Sequence, residues 1–566
     1  METFKTMFFK IVRYLQLMKH IVFYLLFFSI IGSVSIFAQN DADKTIDVNM
    51  KYKPVLIDAF KIEAVPVLEK PIVKPPAFSY NIKSKQVETP KIVNPIPAAD
   101  LFKKEERDFP SSFVKLGYGN MKTPLAEFYL NNKKDPKYSY GAHYRFLQTN
   151  SALNNSFADF TDHNAKAYLR TYNANGEFGL EANYKQQLYN YYGYNSDSFT
   201  LGKNELKRLA RNFDANVYFN STTTKKDGVK HRSSFNFYNF QWDNGTENQY
   251  ALKSKIYGSV SNFNDLENGI LSADIGIDYN TFKRENIKLN RLFIQFDPRF
   301  NFVYDGLKIS AGFNATVLFD GNDTAKPFIN PVIRATYPII ENVAEIYAGI
   351  DGRYHKQSLR NIYNSNPFTS QYELTNTFDN IKVYGGFFAK VGSSADANFE
   401  INYSDVSNMP LFVSQRDSLN SFRILYKQLS VLKFSGALNY SFSEVVRFGL
   451  SGNFYNYEVT GEKEAWQLPT VDGKLNAKFN IKNKIYPHLD IVAMGIQNTK
   501  TEISSTQSSF NKIKAFYDIS AGVDFRFKKK LSLFVQANNL MASRYQRWYN
   551  YPNLGFNIIG GLTMIF

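Results

Sequence analysis

The chain has 566 residues, a formal charge of +16 and no cysteine. The missing cysteine excludes disulfides, thiol catalysis, cysteine-ligated zinc and an acylated cysteine anchor. The basic surplus is scattered, without the compact Lys/Arg cluster that nucleic-acid binding needs, so no nucleic-acid partner is expected.

Residues 1–38 read as a secretory signal. Lys5, Lys10, Arg13 and Lys19 precede an apolar core, Ile21–Ile31, and small residues lead to a cut at Ala38–Gln39. Met18 begins a signal of ordinary size, and an uncleaved anchor helix is the alternative. After residue 38 no apolar run reaches helical-span length, which excludes a polytopic helical membrane protein.

Residues 39–110 have a different composition. Nine prolines, from Pro54 to Pro110, are interleaved with Val, Ile, Lys and Glu. Proline fixes φ and lacks a donor, so the segment is expected to be an extended periplasmic leader, not helix or central strand. Stretched as polyproline II it would reach on the order of 200 Å. It would then tether a periplasmic partner, thread into a lumen or stay disordered.

Residues 111–566 alternate with a period of two. Leu432, Phe434, Leu438, Tyr440 and Phe442 are separated by Lys433, Ser435, Asn439 and Ser441. Val446, Phe448, Leu450 and Phe454 alternate with Arg447, Ser451 and Asn453. Val523, Phe525 and Phe527 alternate with Asp524, Arg526 and Lys528, and the sequence ends on Leu562, Met564 and Phe566. Such strands have one apolar and one polar side. Strands of roughly ten residues with this pattern suit a bilayer-spanning barrel better than a sandwich. A 16% aromatic content with 38 Tyr and a mean hydropathy of −0.35 agree, because only alternate residues of a barrel meet lipid.

The expected fold is all-β: a transmembrane antiparallel up-and-down barrel of about 22 strands behind the Pro-rich leader. Turn signals fall at Asn175-Gly176, Asn268-Gly269 and Asp305-Gly306. Tight turns near 174–175, 305–306, 340–342, 393–394 and 529 alternate with long links at 190–204, 357–378, 406–430, 460–471, 498–511 and 543–552. An even strand number puts both termini on one side, which the signal makes periplasmic. The long links, rich in Tyr, Asn, Ser and Thr, would be the external surface that meets ligand, partner or phage. A barrel this wide needs filling, so those loops or the leader should fold inward.

The stretches Glu462–Pro469, Asn538–Leu540 and Arg544–Pro552 resemble the barrel ends of TonB-dependent receptors of Gram-negative bacteria, and Gly560–Phe566 resembles their closing strand. The resemblance implies a 22-stranded barrel in the cell outer membrane and solute uptake. Those receptors carry a folded plug before the barrel, for which residues 39–110 are too short and too Pro-rich. Thr45–Val48 is similar to a TonB box.

Two functions follow. In one, the barrel passes or binds a solute in a lumen lined by Lys433, Asn439, Arg447, Asn453, Asp490, Asp524 and Arg526. In the other it is a non-transporting accessory subunit of an outer-membrane assembly or secretion complex, its leader docking a periplasmic or neighbouring outer-membrane partner. An open polar path would favour the first and a loop-packed interior the second. Both readings expect outer-membrane lipid and lipopolysaccharide around the wall, and barrel-assembly machinery that reads Leu562, Met564 and Phe566 as an insertion signal. Catalysis, metal and cofactor are not expected. Asp162-His163 is the only adjacent acid–imidazole pair, His143 lies within a strand, His355 and His488 lie near Ser358 and Asp490, and neither HExxH nor GxSxG occurs.

Overall fold

A computed structural model describes residues 112–566, apart from short stretches at 133–134, 154–155, 195–199, 223–227, 261–266, 322–324, 393, 417–418, 443–444 and 505. The signal, the leader, the TonB-box-like string and the expected lack of a plug fall outside the described residues.

The described chain is a closed antiparallel barrel of 22 strands. Each strand pairs with its neighbour in sequence, from Ser112–Gly119 and Thr123–Asn131 onward. The ring closes where the last strand, Asn557–Ile565, pairs with the first, Phe113 opposite Ile565 and Gly119 opposite Ile559. Phe534, on the neighbouring strand Leu531–Asn538, packs at this seam. A Cβ on Gly561 would collide with the Leu116 carbonyl oxygen and lie 2.8 Å from the Phe534 ring, so the close approach requires glycine.

The predicted alternation is present. Leu438, Tyr440, Phe442, Leu450, Phe525, Leu562, Met564 and Phe566 are exposed, as expected of an outer wall that meets lipid rather than water. On five consecutive strands an aromatic row, Tyr184, Phe213, Phe237, Tyr250 and Tyr279, runs around that wall. Ring centroids are 6.3 Å apart for Phe213–Phe237, 5.1 Å for Phe237–Tyr250 and 6.5 Å for Tyr250–Tyr279. Rows of this kind mark a membrane–water boundary.

Links at one end are short. Asp305 and Gly306 take φ values of 46° and 73°, the double left-handed turn that matches strand twist. The long links 191–206, 356–376, 460–470, 495–515 and 539–556 gather at the other end. Two expectations fail. Asn268-Gly269 lies inside the strand Glu267–Arg284, whose register shifts between Glu267 and Ile270. Residues 406–430, expected as a loop, instead form a hairpin of two 21-residue strands, Ala395–Gln415 and Phe422–Phe442, with Asn408 at φ 55° in a register shift between Val406 and Met409. Leu411, Phe412 and Val413 are all buried because both faces of this hairpin are covered. A strand without a wet face shows no period of two.

Candidate functional site: a capped barrel mouth

The largest buried cluster lies at the loop end. Tyr189, Tyr238, Phe240 and Trp242 come from two wall strands. Leu359, Ile362 and Tyr363 come from the helix Leu359–Ser365, Phe412 and Phe422 from the long hairpin, and Trp548 and Tyr551 from link 539–556. The helix starts at Ser358, whose side chain accepts from the Asn361 amide. Its apolar residues share one face at i, i+3 and i+4 and pack on the cluster.

Links 191–206, 356–376 and 539–556 lie at separate places in the ring, so the contacts among them span the mouth. Tyr189 donates its hydroxyl to the Pro367 carbonyl at 2.8 Å and accepts from Trp242 Nε1 at 2.7 Å. Phe368 stacks on Tyr551 with centroids 3.7 Å apart. Tyr551 donates to the Leu419 carbonyl at 3.1 Å, and Asn420 Nδ2 donates to the Gly193 carbonyl at 2.7 Å. Thr369–Gln371 adds in parallel to Phe422 and Arg423 of the hairpin. Link 356–376 therefore turns inward rather than presenting a free external surface.

A charge cluster beneath the helix holds this link. Arg291, with no exposed surface, donates through Nη2 to Asn280 Oδ1 at 3.0 Å and to the Gln357 carbonyl at 2.9 Å. Asn280 Nδ2 donates to Glu247 Oε1 at 2.7 Å, and the Arg360 amide reaches Glu247 Oε2 at 3.2 Å. Lys356 Nζ meets Asp278 Oδ2 at 2.7 Å. Arg360 Nη1 lies 2.6 Å from Asp214 Oδ1, with its guanidinium 3.6 Å from the centre of the Tyr238 ring. Arg291, Lys356 and Arg360 thus balance Glu247, Asp278 and Asp214. Burial lowers the pKa of Lys356, and the Asp278 carboxylate opposes that shift. Removing one member would leave a buried charge uncompensated.

Against the polar face of the helix lies a cavity of about 610 Å³ lined by His355, Asn361, Asp379, Asn402, Ser404 and Lys433, among others. His355 Nε2 is 2.8 Å from Asp379 Oδ2. This chamber brings together amide, hydroxyl, imidazole and ammonium groups, a set suited to hydrogen-bonding a polar solute.

Of the lumen-facing residues expected from the sequence, only Lys433 lines this chamber, with its Nζ 5.4 Å from the centre of the Tyr455 ring, and His355, noted in the sequence near Ser358, lines it too. Asn439 donates to Asp396 at 2.9 Å, Asn453 donates to Asp472 at 2.8 Å, and Arg526 lies over Tyr486. In register, Arg447 is opposite Ser441 and Lys478, Asp490 opposite Asn476 and Ser520, and Asp524 opposite Tyr486 and Phe534. They are dispersed along the wall and do not form one site. Leu562 and Met564 lie exposed on the last strand and Phe566, also exposed, follows it directly. The histidines meet separate partners: His143 meets Glu127, His163 meets Tyr144, and His488 meets Gln536. Sequence reasoning missed Glu247, Asp278, Asn280 and Arg291, which alternate along their strands like any other polar residue, and Arg360 on the helix. Only the proximity of Lys356 to Ser358 and Arg360 at a helix start was a signal.

The closed ring and apolar outer wall are those of an outer-membrane protein. No family model matches the chain, and no curated protein matches it. Solved structures do. The pyoverdine outer-membrane receptor FpvA of Pseudomonas aeruginosa superposes with a TM-score of 0.64 at 9% identity, covering 81% of this chain and 79% of that one. The siderophore receptor PirA of Acinetobacter baumannii gives 0.62 at 9% identity over 80% of each chain. The ferric-catecholate import receptor Fiu of E. coli K12 gives 0.61 at 9% identity over 81% of this chain and 82% of that one. At these identities the likeness is one of fold, a large outer-membrane receptor barrel.

Proposed function

We propose that the chain is an outer-membrane receptor for uptake or passage of a polar solute, related in design to TonB-dependent receptors. The observation that carries this reading is the chamber lined by Asn, Ser, His and Lys side chains beneath links from separate parts of the ring that meet across the mouth. A wall without a cap would leak, and a packed interior would have no place for a solute. In this reading Lys433 contributes to a binding chamber. Asn439, Arg447, Asn453, Asp490, Asp524 and Arg526 line the path below it. Leu562, Met564 and Phe566 form the insertion signal. Solute binding at the chamber would loosen the cap by bonding better to its open state, since a ligand shifts an equilibrium only by its differential affinity.

The contacts across the mouth also favour the second reading, an accessory subunit whose loops fill the barrel for good. Conductance of the full-length protein in a planar bilayer separates the two. Wild type is expected to be silent, and the variant Phe368→Ala with Tyr551→Ala to conduct intermittently. If that variant folds, by heat-modifiable mobility, and remains silent, the cap is not a gate and the accessory reading replaces transport.

A further inference from the structure

Above the aromatic row, on the loop-end rim, is a second cavity of about 520 Å³ whose lining includes Lys207, Arg208, Arg211, Gln241, Asp243 and Arg284. Four cations face one carboxylate. That carboxylate is partly engaged, because Arg208 Nε lies 3.5 Å from Asp243 Oδ1. Burial raises the pKa of Asp243, against the opposing charges of Arg208 and Arg284. Arg208 stacks on the Tyr191 ring at 4.7 Å, and Arg284 stacks on Tyr372 at 4.7 Å while donating to the Ser370 carbonyl at 3.1 Å. Both guanidiniums are therefore held in place by the cap. Lys207 and Arg211 are exposed, and among the described residues neither has an acidic partner.

The position of these two cations gives the site its meaning. On the strand Lys207–Ser221, Arg211 and Lys207 lie on the same face as Phe213, two and six positions nearer the loop end. At about 3.3 Å per residue, Arg211 stands roughly 7 Å beyond the aromatic boundary. That face is the outer wall, since Phe213 is exposed while Ala210 on the other face is buried in the cap. Gln241 of the next strand is opposite Arg211 in register. The wall thus changes from aromatic to basic at the height of the headgroups.

We infer that this rim cavity binds phosphate groups of an outer-leaflet glycolipid, with Lys207 and Arg211 reaching the phosphate from the wall and Arg208 and Arg284 backing them from the cap. Guanidinium forks suit phosphate oxygens, and an ammonium adds a mobile point charge. The inference rests on the membrane placement of the barrel and not on transport, so its failure leaves the receptor reading intact. A lipid held here would touch, through Arg208 and Arg284, the same Tyr191 and Tyr372 that pack in and against the cap.

The test uses the full-length protein, delipidated in mild detergent and titrated by native mass spectrometry with diphosphorylated lipid A, its dephosphorylated form and inorganic phosphate. Wild type should prefer the diphosphorylated lipid. Lys207→Gln with Arg211→Gln should weaken that binding about tenfold or more, while Lys529→Gln with Lys530→Gln at the opposite end should leave it unchanged. Asp243→Asn should tighten it. Heat-modifiable mobility confirms that each variant is folded. Equal lipid binding by wild type and the Lys207/Arg211 variant would overturn the site. Phosphate binding that is lost in the variant, with no preference between the two lipids, would overturn the lipid assignment in favour of a soluble anion.

Discussion

At one end of the barrel, strands meet through turns as short as Asp305-Gly306, and the chain there is bare sheet. At the other, links from separate parts of the ring converge on an aromatic cluster with a balanced group of buried charges beneath it. The first end is a membrane protein organised by which face of a strand meets lipid. The second is organised as a water-soluble interior, with a capped helix, stacked rings and paired charges. The wall needs only alternation, whereas the mouth needs particular side chains in particular places. Substitutions should therefore be read by end and by face, not by residue type.

The largest expected effect is at the mouth. Arg291→Ala removes the hub of the buried charges and leaves Glu247 without its balance, at a cost of about 3–5 kcal/mol. Link 356–376 should become sensitive to protease while the wall persists. Arg447→Ala, at the turn end and exposed, should change stability by about 0.5 kcal/mol or less. Equal urea-unfolding midpoints for the two variants would erase the distinction between the ends. Next comes the contrast of faces. Leu450→Arg on the outer wall should destabilise insertion by about 2–4 kcal/mol at mid-bilayer, and Ser451→Arg should be mild. The folded yield in lipid vesicles measures both, and equal yields would contradict the assignment of faces.

The smallest effect is a pH response of the mouth. Burial disfavours ionisation of Glu462, but hydrogen bonds from Trp466 Nε1 at 2.9 Å and from Lys500, with the charges of Lys500 and Lys427, outweigh it and hold the carboxyl below its usual range. A depressed carboxylate stabilises above the ordinary glutamate pKa, and that contribution is lost as pH falls through the lowered value. Trp466 fluorescence, read with Trp242 and Trp548 replaced by Phe, should change only below the ordinary glutamate range. Glu462→Gln should abolish the change; a transition that persists in that variant belongs to another group.

The wall was legible in the sequence because lipid on one side and polar groups on the other impose a period of two on every strand, as in 432–442 and 446–454. The mouth was not. Tyr191, Tyr363 and Tyr551 read as tyrosines of external loops, since nothing local distinguishes a ring for a ligand from a ring for another loop. Glu247, Asp278 and Arg291 come together only because three consecutive strands bring them close, with Arg291 directly opposite Asn280, and each is an ordinary polar position in its own strand. Leu411–Val413 hid a strand by being covered on both sides.

The seam between Ser112–Gly119 and Asn557–Ile565 has a consequence in time. The first strand has its second partner only when the last one arrives, so every earlier stage of assembly carries two unsaturated edges. Each edge is a template for pairing with another chain, and the contact that removes both has nearly the greatest sequence separation within the described barrel. Closure is therefore the late step of insertion. Because Gly117 and Gly561 approach closely beside Phe534 there, a bulky residue at either glycine should stall the barrel as an open sheet instead of merely weakening a finished one.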